Sequence, residues 1–170
     1  PEEEYYLEDD SMSMADAYKA ALYRIRNTHT FPDGVNYGYD EFYDISENHF
    51  AIYDVDADGK NELLISYWTT SMAGNAFKIY GYDEISDDLQ EEFSEYLGVT
   101  FYSNGMIEAK KSHNHGLASM SEEFWPYALY QYDSENDCYI KTADVDAWEQ
   151  AYRSEYEGIE FPKEADIDGD

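Results

Sequence analysis

Asp54-Val55-Asp56-Ala57-Asp58-Gly59-Lys60-Asn61-Glu62 lies between two apolar runs, Phe50-Ala51-Ile52-Tyr53 and Leu63-Leu64-Ile65-Ser66-Tyr67-Trp68. Three aspartates at alternate positions crowd their charges into one turn, and a hard cation relieves that crowding. Ca²⁺ takes about six to eight oxygens, and carboxylates in the first, third and fifth places of a looping backbone deliver them. Gly59, in sixth place, permits the sharp bend. Lys60 in seventh place offers its backbone carbonyl, and Glu62 in ninth place offers another carboxylate, directly or through water. The expected Ca²⁺ ligands are therefore Asp54, Asp56, Asp58, Lys60 and Glu62. The alternative is an acidic, glycine-containing surface turn without an ion.

An EF-hand loop closes with Glu in its twelfth place. Here that place holds Ile65, and the run that follows the loop is rich in β-formers. The stretch therefore reads as strand, calcium loop, strand.

The chain's 170 residues suffice for one domain with a core. There are 39 acidic and 10 basic side chains, for a formal charge of −29. Nucleic acid is excluded as a partner, because no basic patch meets phosphate. Anionic membrane surfaces are disfavoured for the same reason, and no run has the length of a membrane-spanning helix. Aliphatic residues are scarce, but 19 Tyr, 8 Phe and 3 Trp supply apolar area, so the core is expected to be built from rings. Cys138 is alone and has no intrachain disulfide partner. The chain starts at Pro1, as expected of a processed or trimmed chain. Acidity, calcium and a single cysteine point to a secreted or surface-tethered bacterial protein.

Residues 1–11 read as an acidic tail or linker, 12–165 as one α+β calcium-binding domain, and 166–170 as a truncated second Asp-rich segment. Met14, Ala17, Tyr18, Ala21, Leu22 and Ile25 follow a 3.6-residue period, which predicts a helix capped by Ser13 with Asp16 in the capping-box place. Ala76–Tyr82 alternates as a strand. Leu89–Leu97 fits either helix or strand, and strand is preferred because regularly spaced strands surround it. Asn104-Gly105 between alternating runs predicts a hairpin with a type I′ turn. Val145, Trp148, Ala151 and Tyr152 predict a short helix over Asp144–Tyr152, capped by Thr142 or Asp144. The expected fold is thus α+β, with a single antiparallel meander sheet, an N-terminal packing helix and a short C-terminal helix.

Two further segments carry chemistry. His113 and His115 are two apart, so an extended backbone sends both rings to one face. A polar network, a ligand contact and a metal chelate are all open to them, although zinc needs more protein ligands. Phe124–Tyr132 is aromatic at nearly every second place. Trp125, Tyr127 and Tyr130 are either core rings or a stacking surface for a sugar or peptide. No Gly-x-Ser-x-Gly elbow occurs, and no catalytic residue is assigned.

Phe50–Ile65, Thr70–Gly74, Phe101–Ile107, Ser112–Gly116 and Phe124–Tyr132 together resemble a group of secreted proteins and lipoproteins of gut-dwelling Gram-positive bacteria. The calcium stretch by itself resembles loops of calcium-binding propeller blades and of dockerin-like and integrin-like repeats. In those loops the places of Asp54, Asp56, Asp58 and Glu62 and the carbonyl of Lys60 hold the ion. The resemblance implies a calcium-stabilised extracellular or cell-surface domain, with extracellular glycan or protein as candidate partner. It implies no chemistry. A secreted hydrolase acting on glycan or peptide, using His113 or His115 with a carboxylate, is the alternative.

Overall fold

The computed structural model describes residues 13–42, 44–68, 75–110 and 127–145. The first element is helix α1, Met14–Thr28. Ser13 caps it, accepting the Asp16 backbone N–H and donating its own hydroxyl to the Asp16 carboxylate. His29 ends it in the left-handed region, with its N–H on the Ile25 carbonyl. Ala17, Tyr18, Ala21 and Ile25 form the buried face, as the period predicts.

Strands β1 (His49–Tyr53), β2 (Glu62–Tyr67), β3 (Ala76–Asp83) and β4 (Asp88–Glu95) form an antiparallel sheet in chain order. Ile52 pairs with Leu63 across the Asp-rich loop, so the strand, loop, strand reading holds. Asp88–Glu95 is a strand, which settles the helix-or-strand choice for this segment. Both faces of this sheet are apolar. Leu63, Ile65, Tyr67 and Tyr80 pack under α1 with Tyr18, Ile25 and Phe31. Leu64, Ile79 and Phe93 point the other way. Consecutive apolar residues at Leu63, Leu64 and Ile65 mark a strand buried on both sides.

The second face is covered by a second sheet, and here the expectation of one sheet is overturned. Strands β5 (Val99–Phe101), β6 (Met106–Lys110), β7 (Tyr127–Asp133) and β8 (Cys138–Val145) form a separate four-stranded antiparallel sheet. One continuous meander with a single helix would leave an apolar face in water. Instead the chain breaks at Gly98, where φ is 98°, and the second sheet turns onto the first. Phe101, Ile107, Ala109, Ala128, Tyr130 and Tyr139 meet Leu64, Ile79 and Phe93 in one core. Phe93 stands edge-on to Tyr130 at 4.9 Å and to Tyr139 at 5.9 Å. The layers are helix, sheet, sheet.

The C-terminal helix also needs correction at its start. Asp144 and Val145 are the last residues of β8, and Thr142, a proposed cap, lies inside that strand. Residues 146–152 lie outside the described residues, as do 1–12 and 166–170. The Asn104-Gly105 hairpin forms, but not through a type I′ turn. Gly105 alone takes positive φ, at 82°, while its N–H bonds to the Tyr102 carbonyl and the Tyr102 N–H to the Met106 carbonyl. That pattern fits the three-residue loop with glycine at the left-handed place.

The second sheet repeats the plan of the first. In the β3–β4 turn, Asp83 accepts the Ile85 N–H and the Ser86 hydroxyl, and Tyr82 donates to Asp87. In the β7–β8 turn, Asp133 accepts the Glu135 N–H and an Asn136 amide proton, and Tyr132 donates to Asp137. Asp87 and Asp137 both sit in the left-handed region, at φ 52° and 51°. Each hairpin then carries a β-bulge at the same place. Glu92 is the extra residue opposite Ile79 and Tyr80, and Thr142 is the extra residue opposite Leu129 and Tyr130.

Under the helix, Lys78 is the one cation inside the described core. Its side chain is 3% exposed, with Nζ 2.8 Å from Asp33 and 2.6 Å from Glu91, among the rings of Phe31, Tyr37 and Tyr80. Removing one partner of a buried pair strands the other charge. Asp33 and Glu91 keep 28% and 35% exposure and can take up water, so the loss falls at the low end. Lys78→Met should cost about 3 kcal/mol in urea unfolding. Lys141→Met, which breaks the exposed pair with Asp144, should cost less than about 0.5 kcal/mol. Equal losses for the two variants would contradict this view of Lys78.

Candidate metal centre

The β1–β2 loop sits at one end of the space between the sheets. Glu62 opens β2 on the same side as Leu64, so its side chain faces the second sheet and is 2% exposed. Its Oε2 accepts the Val55 N–H at 2.8 Å. Within the loop the aspartates fold the backbone. Asp56 Oδ1 accepts the Asp58 N–H at 2.9 Å, Asp58 Oδ1 the Lys60 N–H at 2.7 Å, and Asp54 Oδ2 the Gly59 N–H at 3.1 Å. Gly59 has φ 93° and Ala57 has φ 62°. A non-glycine residue held in that region costs about 1 kcal/mol. The loop is thus a built conformation rather than a relaxed turn.

This folding brings the carboxylates of Asp54, Asp56, Asp58 and Glu62 together, with one oxygen from each within 4.8 Å of all the others. Oxygens bound to one Ca²⁺ at about 2.3–2.6 Å can be no farther apart than about 5 Å. The set therefore has the span of a single divalent-ion site. Asp54 Oδ1 and Asp56 Oδ2 are buried and have no hydrogen-bond partner among the described residues. Buried carboxylate oxygens of this kind call for a proton or a cation.

Two residues that the sequence reading did not single out join the site. Glu92, on β4, is 4% exposed, and Asp137 comes from the β7–β8 turn. Together with Asp56 they form a second group of three carboxylates that also lie within 4.8 Å of one another. The bulge explains Glu92. It places Glu92 and Phe93, neighbours in sequence, both in the buried interior. Gly81 lies beside it, and a side chain there would collide with the Glu92 carboxylate. The signals available in the sequence were the Glu92-Phe93 break in alternation and the repeated Tyr-Asp-x-x-x-Asp of 82–87 and 132–137.

The other candidate residues are placed apart from this site or lie outside the described residues. Tyr127 and Tyr130 are each 8% exposed. Tyr127 packs with Leu129 and Ala143, and Tyr130 lies between the sheets and donates to Glu95. Both are core rings. His113, His115 and Trp125 lie outside the described residues.

Electrostatics follow from burial. Glu62 is pushed up to about 8, first by burial and then by Asp56, Asp58 and Asp54, against the pull of the Val55 N–H. Glu92 is pushed up to about 9 by burial and then by Asp137, Glu62, Asp56 and Asp58. Asp56 is raised as well, chiefly by burial. Without a cation, these carboxyls hold protons in the folded chain that an unfolded chain gives up in the ordinary carboxylate range.

The sign of the resulting pH dependence is definite. A carboxyl with a raised folded pKa binds more protons folded than unfolded, so stability falls as pH rises between the two values. In calcium-free buffer the melting temperature should therefore drop from about pH 5 to about pH 9 as Glu62 and Glu92 ionise. Asp33, Asp44, Asp83 and Asp133 are lowered, so their contribution is lost only in stronger acid. Glu92→Gln should flatten the drop. A melting temperature that rises through this window in the wild type would contradict the burial of these groups.

No helix among the described residues is long and apolar enough to cross a membrane. No protein-family model, curated protein or solved structure matches the chain.

Proposed function

We propose that the chain is a non-catalytic, calcium-stabilised extracellular or cell-surface domain, in which Asp54, Asp56, Asp58, Glu62 and the Lys60 carbonyl hold Ca²⁺. The observation that carries this reading is the pair of buried oxygens on Asp54 and Asp56, without a partner among the described residues, inside a four-carboxylate cluster. Donors that are all oxygen suit hard cations. The loop's irregular backbone suits Ca²⁺ better than Mg²⁺, which demands a near-ideal octahedron and sheds its waters reluctantly. Extracellular calcium is high enough to fill weak sites, and a surface of charge −29 gains from any bound cation. The secreted, lipid-anchored or surface setting, and glycan or protein as partner, rest on this chemistry and on the resemblance drawn from the sequence.

Binding to the folded state alone stabilises by about 2.7 kcal/mol when free Ca²⁺ is about 100 times Kd. Millimolar Ca²⁺ should therefore raise the melting temperature near neutral pH, and Mg²⁺ should do so weakly. Asp58→Ala should remove most of the rise at the loop. Lys60→Ala should leave it intact, because the backbone carbonyl remains. The same rise in Asp58→Ala as in the wild type would sink the assignment of this loop.

A further inference from the structure

We infer that Asp56, Glu92 and Asp137 hold a second divalent cation, one that ties the two sheets together at the loop end of the core. Asp56 belongs to the β1–β2 loop and Glu92 to β4, both of the first sheet, while Asp137 belongs to the β7–β8 turn of the second. This ion is distinct from the loop ion and rests on the loop reading only through Asp56, whose carboxylate is common to both groups.

Acidic side chains near one another are not in themselves a site. Two further observations point to a ligand here. Glu92 is 4% exposed, and its Oε2 is buried with no hydrogen-bond partner among the described residues. Asp56 Oδ2, in the same group, is likewise buried with no hydrogen-bond partner among the described residues. Buried carboxylate oxygens that accept no hydrogen bond call for a proton or a cation. Tyr132 fixes the third ligand, donating to Asp137 Oδ1 at 2.6 Å.

The surroundings are shaped for Glu92. The bulge turns it inward, and Gly81 provides the space its carboxylate occupies. The equivalent bulge of the second sheet carries Thr142, whose hydroxyl bonds to the Leu129 carbonyl. The same backbone device therefore serves a backbone hydrogen bond in one sheet and an inward carboxylate in the other.

Calcium bound per chain, measured by equilibrium dialysis and elemental analysis on the full chain, tests this. The wild type should bind two ions. Glu92→Gln, Asp137→Asn and Gly81→Ala should each bind one, with circular dichroism unchanged, and Asp58→Ala should also bind one. Glutamine fits the buried place of a neutral Glu92, so loss of the ion without loss of fold is the expected result. One ion in the wild type, lost in Asp58→Ala and kept in Glu92→Gln and Asp137→Asn, would overturn the second site and leave the loop site standing. One ion lost in Glu92→Gln and Asp137→Asn but kept in Asp58→Ala would support the inter-sheet site and overturn the loop. No bound ion would overturn both.

Discussion

Carboxylates inside a protein must find protons, donors or cations, and the architecture of this chain turns on that requirement. The core between the sheets is apolar along Leu64, Ile79, Phe93 and Tyr130. At one end it gives way to Glu62 and Glu92, both nearly fully buried, with Asp54, Asp56 and Asp137 around them. Three of the six buried side-chain polar atoms without a partner among the described residues fall here, on Asp54, Asp56 and Glu92. The other buried charge among the described residues, Lys78, is satisfied by Asp33 and Glu91. The contrast is between a lysine answered by two carboxylates and one concentration of unanswered oxygens at the loop end.

The fold follows from a second constraint, the two apolar faces of the first sheet. Helix α1 covers one with Tyr18, Ala21 and Ile25, and the second sheet covers the other with Phe101, Ile107 and Tyr130. Rings fill most of this space, which suits a chain poor in aliphatics. The two sheets share strand order, turn chemistry and bulge position, and differ where chemistry is needed. The first has the Asp-rich loop and Glu92. At the matching places the second has the short Tyr102–Gly105 turn and Thr142.

Much of this was legible in the residues. The helix announced itself by its period, and the carboxylate loop by alternate aspartates ahead of Gly59. The strands up to β8 followed from alternation and from Gly, Asn and Asp at the turns. The division into two sheets was harder to see, because sequence-local pairing is the same in one long meander and in two short ones. What distinguishes them is burial on both faces, written in Leu63-Leu64-Ile65 and in the pair Glu92-Phe93. Glu92 and Asp137 could not be found by spacing from the loop, since topology alone brings them to it. Tyr127 and Tyr130, aromatic and closely spaced, are core rings, because a core short of aliphatics must recruit them.

Electron density is the most direct test that the carboxylate end of the sandwich is a calcium centre. Crystals grown with millimolar Ca²⁺ and measured at a wavelength where calcium scatters anomalously should show a peak among Asp54, Asp56, Asp58 and Glu62. Its distances to oxygen should be about 2.3–2.6 Å, with the Lys60 carbonyl among the ligands. Density without an anomalous peak, with the Asp54 and Asp56 oxygens capped by water or by protein donors, would contradict the account.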